Sequence, residues 1–252
     1  LTGTGMGMLT FVDARGAEHL IAVTTSNAYE YDVSSSLWVE ITPVAADLTG
    51  SSTYTIVADV VTDVATFLLN GGQALVMTNG VDDLVAYEGD PGGKFTTLAH
   101  TFPSFSSCRT VIEFENHVML LDYTDSARNA KSLAYAAIGN VTDWVGAGAG
   151  QVTLTDSVGI IQRAMKLGSV MALYSDQSII NCQYVGGTSI FVFPKVISGT
   201  GLLAPQAIAE LSNCHYFVGT DGIIYKNEGW NTLTNVGKPI NQAFFNMLDG
   251  SK

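Results

Sequence analysis

The stretch Thr110–Tyr123, TVIEFENHVMLLDY, carries the pattern that decides the fold. Its first half alternates between apolar and polar residues, which is typical of a β-strand with one buried face. The second half contains VMLL, which is apolar throughout, as expected of a strand that is covered on both faces. Two more strand-like stretches follow, KSLAYAAI from Lys131 and QVTLT from Gln151. This part of the chain therefore predicts four consecutive β-strands.

Four other segments repeat the same plan of four short strands. The five repeats span about residues 8–43, 64–99, 110–155, 160–197 and 206–237. Their second strands begin at His19, Gln73, His117, Val170 and Cys214, which are 44 to 54 residues apart. This period is typical of the four-stranded blades of a β-propeller, and five similar groups favour radial repetition over a two-sheet sandwich. We therefore predict an all-β fold over residues 1–237, a β-propeller of about five four-stranded blades or part of a larger one.

Three apolar residues test this assignment of strands. Leu120, Leu173 and Phe217 each fall in the middle of a predicted second strand. Since second strands are expected to be covered on both faces, these three side chains should be buried.

The C-terminal segment has a different pattern. It reads KPINQAFFNMLDGSK, which predicts a short helix with Pro239 near its first turn. Ile240, Phe244 and Leu248 would share one helix face, because they are four residues apart. That face is expected to pack against the propeller or against whatever follows in a longer chain. Residues 238–252 are therefore predicted to form a C-terminal helix and tail.

An aromatic residue recurs at the beginning of each fourth strand. It follows an apolar or aromatic residue by five to eight positions, in the pairs Tyr31 and Trp38, Tyr87 and Phe95, Ile138 and Trp144, Tyr184 and Phe191, and Tyr225 and Trp230. A large ring at a fixed place in every blade is expected to fill the space between neighbouring blades. The other interpretation is a row of rings on which a ligand stacks.

Several dipeptides predict tight turns between the strands. Glycine adopts positive φ angles without steric cost, so a two-residue hairpin favours it. The predicted two-residue hairpins are Arg15-Gly16, Asn70-Gly71, Asn79-Gly80 and Asp221-Gly222.

Composition and charge limit the possible functions. Of the 252 residues, 47% are hydrophobic and 13% are charged, which indicates a globular chain. Twenty-three acidic and 11 basic residues give a net charge of -12, and such a surface repels phosphate backbones. The longest apolar stretch, Ile56–Leu69, is interrupted by two aspartates and is shorter than the roughly 18 apolar residues of a membrane span. We therefore predict neither nucleic-acid binding nor a membrane span.

The residue types that usually carry chemistry do not form a recognisable motif. The histidines are His19, His100, His117 and His215, and the cysteines are Cys108, Cys182 and Cys214. None has the spacing of a zinc site, and three of the histidines lie at the start of a second strand, which predicts a structural role. The cysteines are expected to be buried thiols without disulfides. The sequence thus predicts no catalytic, cofactor-binding or metal-binding residues and no cofactor.

Loops rich in glycine or carboxylates are expected to be surface loops. Residues 146–150, GAGAG, precede a strand and not a helix, so they are not a dinucleotide fingerprint. Asp122, Asp125 and the pair Asp82-Asp83 are interpreted as solvated surface, with calcium binding as the weaker interpretation.

Several phrases of the sequence resemble those of structural propellers of tailed phages. They are QALVMTNGVDDLVAYEG (Gln73–Gly89), IGNVTDW (Ile138–Trp144), VGG (Val185–Gly187), SGTGLLAP (Ser198–Pro205) and HYFVGTDGIIY (His215–Tyr225). The resemblance extends from about residue 10 to 245 through loose turn patterns. Proteins of this head–tail or tail-nozzle type form rings around the DNA exit channel and have no catalytic residues to carry over.

The resemblance implies a virion structural protein of a phage tail or head–tail connector ring. Its expected partners are other tail or connector proteins and further copies of itself, and DNA would pass nearby without specific binding. The alternative is a propeller module that recognises a host-surface glycan or a partner protein. A sialidase-like enzyme is disfavoured, because the four arginines are too few and too scattered for a sugar-carboxylate triad: Arg15, Arg109, Arg128 and Arg163. We therefore predict that the protein is not an enzyme.

Overall fold

The computed structural model describes residues 1–3, 5–44, 63–69, 72–155, 159–229 and 232–247. In this part of the chain, 20 β-strands form five four-stranded antiparallel sheets, and one α-helix follows them. In every sheet, strands that are consecutive in sequence are also neighbours in space. This arrangement is that of a β-propeller blade. The predicted all-β propeller fold, with five four-stranded blades and a short C-terminal helix, is confirmed.

The chain divides into two compact units, and the first, Leu1–Thr153, contains three blades. Blade 1 consists of β1 (Gly5–Val12), β2 (Glu18–Thr24), β3 (Ala28–Asp32) and β4 (Leu37–Glu40). Blade 2 consists of β5 (Asp63–Leu69), β6 (Gly72–Thr78), β7 (Val85–Tyr87) and β8 (Thr96–Thr97). Blade 3 consists of β9 (Ser107–Phe114), β10 (His117–Thr124), β11 (Arg128–Tyr135) and β12 (Gly150–Thr153).

The second unit, Leu154–Lys252, contains two blades and the helix. Blade 4 consists of β13 (Ile161–Leu167), β14 (Val170–Ser175), β15 (Ser178–Tyr184) and β16 (Phe191–Ser198). Blade 5 consists of β17 (Ile208–Leu211), β18 (Cys214–Val218), β19 (Ile224–Asn227) and β20 (Leu233–Asn235), and helix α1 covers Asn241–Met247. The predicted boundary between the repeats and the tail at residue 237 stays a prediction.

The second strands of blades 3 and 4 lie at the centre of their packing. Every residue of β14 is buried, and so is every residue of β10 except its last. Leu120, Leu173 and Phe217 are all buried, which confirms the prediction made from the apolar second strands.

Among the described residues, apolar clusters join neighbouring blades, with two clusters in the first unit and one in the second. In the first unit, Ile21 of blade 1 packs in one cluster with Leu75 of blade 2, and Val76 of blade 2 packs in another with Leu120 of blade 3. In the second unit, Tyr174 of blade 4 packs in a cluster with Phe217 of blade 5. The apolar side chains that alternate with polar ones along the strands are thus buried between blades.

The aromatic pairs behave differently from blade to blade. The rings of Tyr31 and Trp38, of Tyr87 and Phe95, and of Tyr184 and Phe191 are in contact, with centroids 5.3, 5.4 and 5.6 Å apart. Tyr87 and Phe95 belong to the cluster between blades 1 and 2, as predicted for blade packing. The predicted partner of Trp144 is wrong: Ile138 is exposed, and Trp144 stacks on Phe102 instead. Trp230 lies outside the described residues.

The predicted two-residue hairpins are wrong at the three described positions. Arg15-Gly16, Asn79-Gly80 and Asp221-Gly222 lie in longer connections, at 13–17, 79–84 and 219–223. In each connection, a side-chain oxygen of Asp13, Asn79 or Asp221 accepts a hydrogen bond from the backbone N–H two residues later. These side chains stabilise a longer loop, which is a common role of Asp and Asn in turns. Asn70-Gly71 lies outside the described residues.

Two of the two-residue hairpins in the described part of the chain use residues that the sequence did not single out. Glu115 and Asn116 connect β9 to β10 with φ angles of 51° and 61°, and Ser212 and Asn213 connect β17 to β18 with φ angles of 53° and 58°. Positive φ at both central residues is the geometry of the type I′ turn, whose twist matches that of the strands.

The C-terminal helix begins two residues after Pro239. Ile240 precedes the helix and is exposed, so the predicted packing face is wrong at this residue, and Leu248 lies outside the described residues. The helix contacts blade 5 through Asn241, whose side-chain oxygen accepts a hydrogen bond from Ile224 N at 3.4 Å. Phe245 lies beside Gly222 of the same blade.

No helix among the described residues is long and apolar enough to cross a membrane.

Candidate functional site

Loops from all three blades of the first unit meet at one end of the strands. This end, called the hairpin end below, carries the β1–β2 and β9–β10 hairpins (13–17 and 115–116) and the β7–β8 and β11–β12 loops (88–95 and 136–149). Gly139 N donates to Asn116 O at 2.7 Å, which joins the blade 3 loop to the blade 3 hairpin. Loops on a rigid scaffold are common places for binding residues, so this end is the candidate functional site.

A buried polar cluster joins blades 1 and 2 at the hairpin end. Asp13 accepts hydrogen bonds from the backbone of Arg15 and Ala17, both at 2.8 Å, and from Arg15 Nε at 2.7 Å. Burial alone raises the pKa of Asp13, but the hydrogen bonds from Ala17 and Arg15 outweigh it and hold this pKa well below its usual range. Arg15 also donates to Gly89 O and to Asp90 Oδ1 in the blade 2 loop, the latter at 3.2 Å. The arginine therefore links the two blades.

A second link in the same cluster runs through Glu30. Its carboxylate accepts hydrogen bonds from His19 Nδ1 within blade 1 and from the Tyr87 hydroxyl of blade 2. Burial, together with the carboxylate of Glu30, raises the pKa of Tyr87 well above its usual value. The tyrosine therefore stays a neutral hydrogen-bond donor. His19 also lies between carboxylates, because its Nε2 is 3.3 Å from Asp13 Oδ2.

Gly89 is required where the blade 2 loop crosses this cluster. Its φ angle is +80°, and a Cβ atom at this position would lie 2.6 Å from His19 Nε2. Any other residue would have to displace the imidazole ring. The cluster thus consists of hydrogen-bonded and oppositely charged groups in a closely packed site, an arrangement that suits a fixed link between blades.

A cavity of about 410 Å³ lies beside the same blade 2 loop. Its polar lining comes from Glu88, Asp90 and Lys94, and Tyr87 lies in its wall. Val44 also lines it, and the residues that follow Val44, from 45 to 62, lie outside the described part of the chain.

A smaller cavity of about 220 Å³ lies between blades 2 and 3 at the hairpin end. Buried Phe67 lines it, and Gln73, Glu113 and Asn116 contribute polar groups. The β11–β12 loop, whose Gly139 lines this cavity, carries two exposed apolar side chains, Ile138 at 55% exposed and Val145 at 63%. An apolar surface next to a small cavity is suited to contact with another protein chain.

The structure gives every histidine a hydrogen-bond partner. His117 Nδ1 donates to Ala136 O at 2.7 Å within blade 3. His215 Nε2 donates to Lys166 O at 2.7 Å, and its Nδ1 accepts from the Tyr174 hydroxyl at 2.9 Å. His100 Nε2 lies 2.9 Å from Asp83 Oδ1. These contacts fit the structural role predicted from the recurring position.

Burial suppresses the reactivity of two of the three thiols. Burial raises the pKa of Cys182 to about 12 and raises the pKa of Cys108 further. Cys214 is half-buried, and all three cysteines are free. Among the described residues, no three His, Cys, Asp or Glu side chains are arranged to hold a metal ion.

One carboxylate was wrongly placed in a solvated loop. Asp122 lies inside β10, where it is buried and bound by Arg128. The register between β10 and β11 shifts between Leu121 and Tyr123, and the aspartate that lies between them is buried in spite of its charge. Asp82, Asp83 and Asp125 do lie in loops, and residues 146–149 belong to the β11–β12 loop as expected.

Sequence reasoning missed the cavities and the meeting of two arginines at Asp122. Arg109 Nη1 lies 3.8 Å from Asp122 Oδ2, and Arg128 Nη2 lies 2.6 Å from the same atom. The two arginines are 19 positions apart on different strands, and only the strand pairing of blade 3 brings them together. The predicted pairing of β9 with β10 could have revealed that Arg109 lies beside Asp122, but it could not have revealed Arg128, which lies on β11.

No family model matches the sequence, and no curated protein matches it. Solved structures with a similar fold exist. One is the extracellular domain of the BT4673 system from B. thetaiotaomicron, with a TM-score of 0.51 and 10% identity over 86% of this chain. Another is BBS1N in complex with ARL6DN, with a TM-score of 0.50 and 10% identity over 93% of this chain. This chain spans 26% of the length of the first protein and 66% of the second. At such low identity the likeness shows the propeller fold alone.

Proposed function

We propose that this protein is a non-catalytic propeller module that acts by binding other protein chains. The propeller fold fits a binding module, and the observation that carries the proposal is the hairpin end of blades 1 to 3. There, Gly139 of the β11–β12 loop lines the cavity together with Phe67, and the exposed side chains of Ile138 and Val145 belong to the same loop. The strands of blade 3 hold this loop in place through the bond from Gly139 N to Asn116 O.

The size of the smaller cavity favours a protein partner over a small molecule. Its volume of about 220 Å³ is below the roughly 300–1,000 Å³ of ordinary small-molecule pockets. A single side chain of a partner could enter it, with Phe67 providing an apolar surface and Gln73 and Asn116 providing hydrogen-bonding groups. The neighbouring Ile138 and Val145 would be covered by the rest of the partner.

Within this class, we propose a structural role in a phage virion, as part of a tail or head–tail connector ring around the DNA exit channel. Two observations support it: the phrases that resemble phage structural propellers, and the net charge of -12, which suits a wall that DNA passes without sticking. The partners would be further copies of this chain and other tail or connector proteins. The protein would then be located in the virion.

The assembly state tests this proposal. We expect the purified protein to form a ring of identical copies, visible by negative-stain electron microscopy and by its mass in solution. Ile138→Asp and Val145→Asp should prevent this assembly without lowering the melting temperature, because both side chains are exposed. Val81→Asp is the matched control, since Val81 is 50% exposed on a loop at the opposite end of blade 2. A monomer that stays a monomer when mixed with tail proteins would contradict the proposal.

The larger cavity supports a second candidate function, the recognition of a glycan. Its volume of about 410 Å³ falls within the small-molecule range. Glu88, Asp90 and Lys94 supply the charged groups that can accept or donate hydrogen bonds to hydroxyls. Binding on a glycan array that Lys94→Ala abolishes would favour this function. An array without any bound glycan would count against it.

A further inference from the structure

We propose that Arg109 and Arg128 of blade 3 form a binding site for a single carboxylate group of an acidic partner. Both side chains are about half exposed, at 46% and 48%, and both approach the carboxylate of Asp122. Two positive charges and one negative charge leave this site with a surplus of one positive charge in a chain whose net charge is -12. The site lies at the opposite end of blade 3 from the hairpin end, so it stands independently of the function proposed above.

Asp122 fixes the orientation of Arg128. Arg128 Nε donates to Asp122 Oδ1 at 2.7 Å, and Arg128 Nη2 donates to Asp122 Oδ2 at 2.6 Å. This two-point contact holds the guanidinium plane and raises the pKa of Arg128 above its usual value. The Nη1 group of Arg128 is not used by this contact, so its hydrogens can reach a ligand.

Arg109 completes the site from the neighbouring strand. Its Nη1 is 3.8 Å from Asp122 Oδ2, which is too far for a hydrogen bond. The described part of the chain therefore gives the Arg109 guanidinium an ion pair with Asp122 but leaves its donors open to an incoming anion. Two guanidinium groups beside one another match the two oxygens of a carboxylate.

The backbone at Asp122 is unusual for a purely structural ion pair. Asp122 has a φ angle of 49°, in the left-handed region that few residue types other than glycine, asparagine and aspartate adopt, and it lies where the register between β10 and β11 shifts. Bulges often redirect a side chain next to a binding site. A buried ion pair is also weak evidence for stability, because apolar residues of similar volume commonly serve as well. The strained, buried aspartate is therefore better explained by the arginines that it holds at the surface.

Acidic residues near the site favour a ligand that carries a single charge. Asp63 and Asp83, like Asp122, lie close enough to act electrostatically on Cys108, the residue before Arg109. A polyanion such as nucleic acid would meet these carboxylates as well as the arginines. A single carboxylate is small enough to contact the two guanidinium groups without extending along the surface to the other acidic residues, which favours an aspartate, a glutamate or a chain terminus of a partner.

A side-chain ¹⁵N NMR titration of the full chain tests this site. The probe is N-acetylglutamate amide, and the matched control ligand is N-acetylglutamine amide, which lacks the charge. We expect the glutamate probe to shift the Nε signals of Arg109 and Arg128 in a saturable way, while the signal of Arg163 in blade 4 stays in place. The glutamine probe should cause no saturable shift.

The variant Arg109→Gln separates binding from folding. Since the described residues give the Arg109 guanidinium no contact closer than the 3.8 Å ion pair, the variant should keep its fold and melting temperature. It should bind the glutamate probe about tenfold more weakly, a common effect of losing a hydrogen bond between charged groups. Unchanged binding in this variant, or no saturable shift in the wild-type protein, would overturn the proposal. Inorganic phosphate is the third probe, and tighter binding of phosphate than of the glutamate probe would overturn the assignment to a carboxylate.

Discussion

Tyr174 is the residue whose alteration tests the packing of the second unit most directly. Its hydroxyl, in blade 4, forms hydrogen bonds with two side chains of blade 5. It donates to His215 Nδ1 at 2.9 Å and accepts from Asn227 Nδ2 at 2.8 Å. His215 Nε2 in turn donates to Lys166 O. Tyr174, His215 and Asn227 are all buried, so no group of this chain of bonds has easy access to water.

The substitution Tyr174→Phe removes one oxygen atom and leaves two buried polar groups without a partner. The ring contacts with Phe217, at 5.2 Å between centroids, would be kept. A buried group that loses its hydrogen bond costs about 1–3 kcal/mol, so the two groups together should lower the free energy of unfolding by about 2–6 kcal/mol. Most of this loss in stability comes from the buried polar atoms of His215 and Asn227 that lose their hydrogen-bond partner, and not from the removal of the oxygen itself.

Urea unfolding followed by circular dichroism measures this loss. The matched control is Tyr216→Phe in the same blade, since Tyr216 is half-buried and the structure gives its hydroxyl no hydrogen bond among the described residues. We expect the control to change the free energy of unfolding by less than about 0.5 kcal/mol. If Tyr174→Phe were as mild as the control, the bonds to His215 and Asn227 would not stabilise the contact between blades 4 and 5, and the reasoning would fail.

Four further predictions concern other parts of the molecule. Leu120→Ala should lower the free energy of unfolding by about 2–5 kcal/mol in urea unfolding, because it leaves a cavity in a fully buried strand. Asn116→Val should lower the free energy of unfolding by about 1–2 kcal/mol in the same assay, because residue 116 has a φ angle of 61°. Asn116→Gly should not lower it. Burial lowers the pKa of His215 in the folded state, so the unfolded state binds the proton more readily, and stability should fall as the pH drops below about 6.5. Urea midpoints between about pH 7.5 and 5 should therefore fall more for the wild-type protein than for His215→Gln, and parallel curves would contradict this. Finally, a fluorescence titration with duplex DNA at physiological salt should show no binding, although non-specific binders reach about 10⁻⁴–10⁻⁶ M, and micromolar affinity would contradict a passive channel wall.

The strands could be predicted from the sequence because a strand is determined by the local pattern of its side chains. The alternation in β9 and the apolar run in β10 each lie within eight residues, and both strands are where the pattern places them. The burial of Leu120 follows from the same local information. Repetition strengthened each assignment, because a weak signal in one blade had a counterpart in the next.

The turns could not be predicted as well, because side-chain hydrogen bonds decide their length. Gly16 has the positive φ angle that its neighbours in sequence predict, at 81°, but Asp13 binds the backbone of Arg15 and Ala17 and fixes a longer loop. Conversely, Glu115 and Asn116 adopt a type I′ turn without glycine, because the pairing of His117 with Phe114 leaves only two residues to connect the strands. Turn type thus depends on strand register as well as on residue type.

The candidate site was beyond the reach of sequence patterns for a different reason. The smaller cavity joins Phe67, Glu113 and Gly139, which come from two blades and three separate segments. Each of these residues has an ordinary place in its own repeat, and only the packing of blade 2 on blade 3 creates the cavity. The buried position of Asp122 has a similar origin, because β10 is covered on both faces and its pairing with β11 brings Arg128 to the aspartate.

The four arginines show how the molecule divides its few positive charges between folding and recognition. Arg15 joins blade 1 to the loop of blade 2, and Arg163 of blade 4 donates to Gln206 Oε1 beside blade 5 at 3.1 Å. Each of these two arginines therefore stabilises a contact between blades. Arg109 and Arg128 instead meet inside blade 3, around an aspartate of the same blade, and their contacts there join no blade to another. Because the ion pair at Asp122 adds nothing to the packing between blades, the exposed halves of these two side chains are best explained by a group that reaches them from outside the chain.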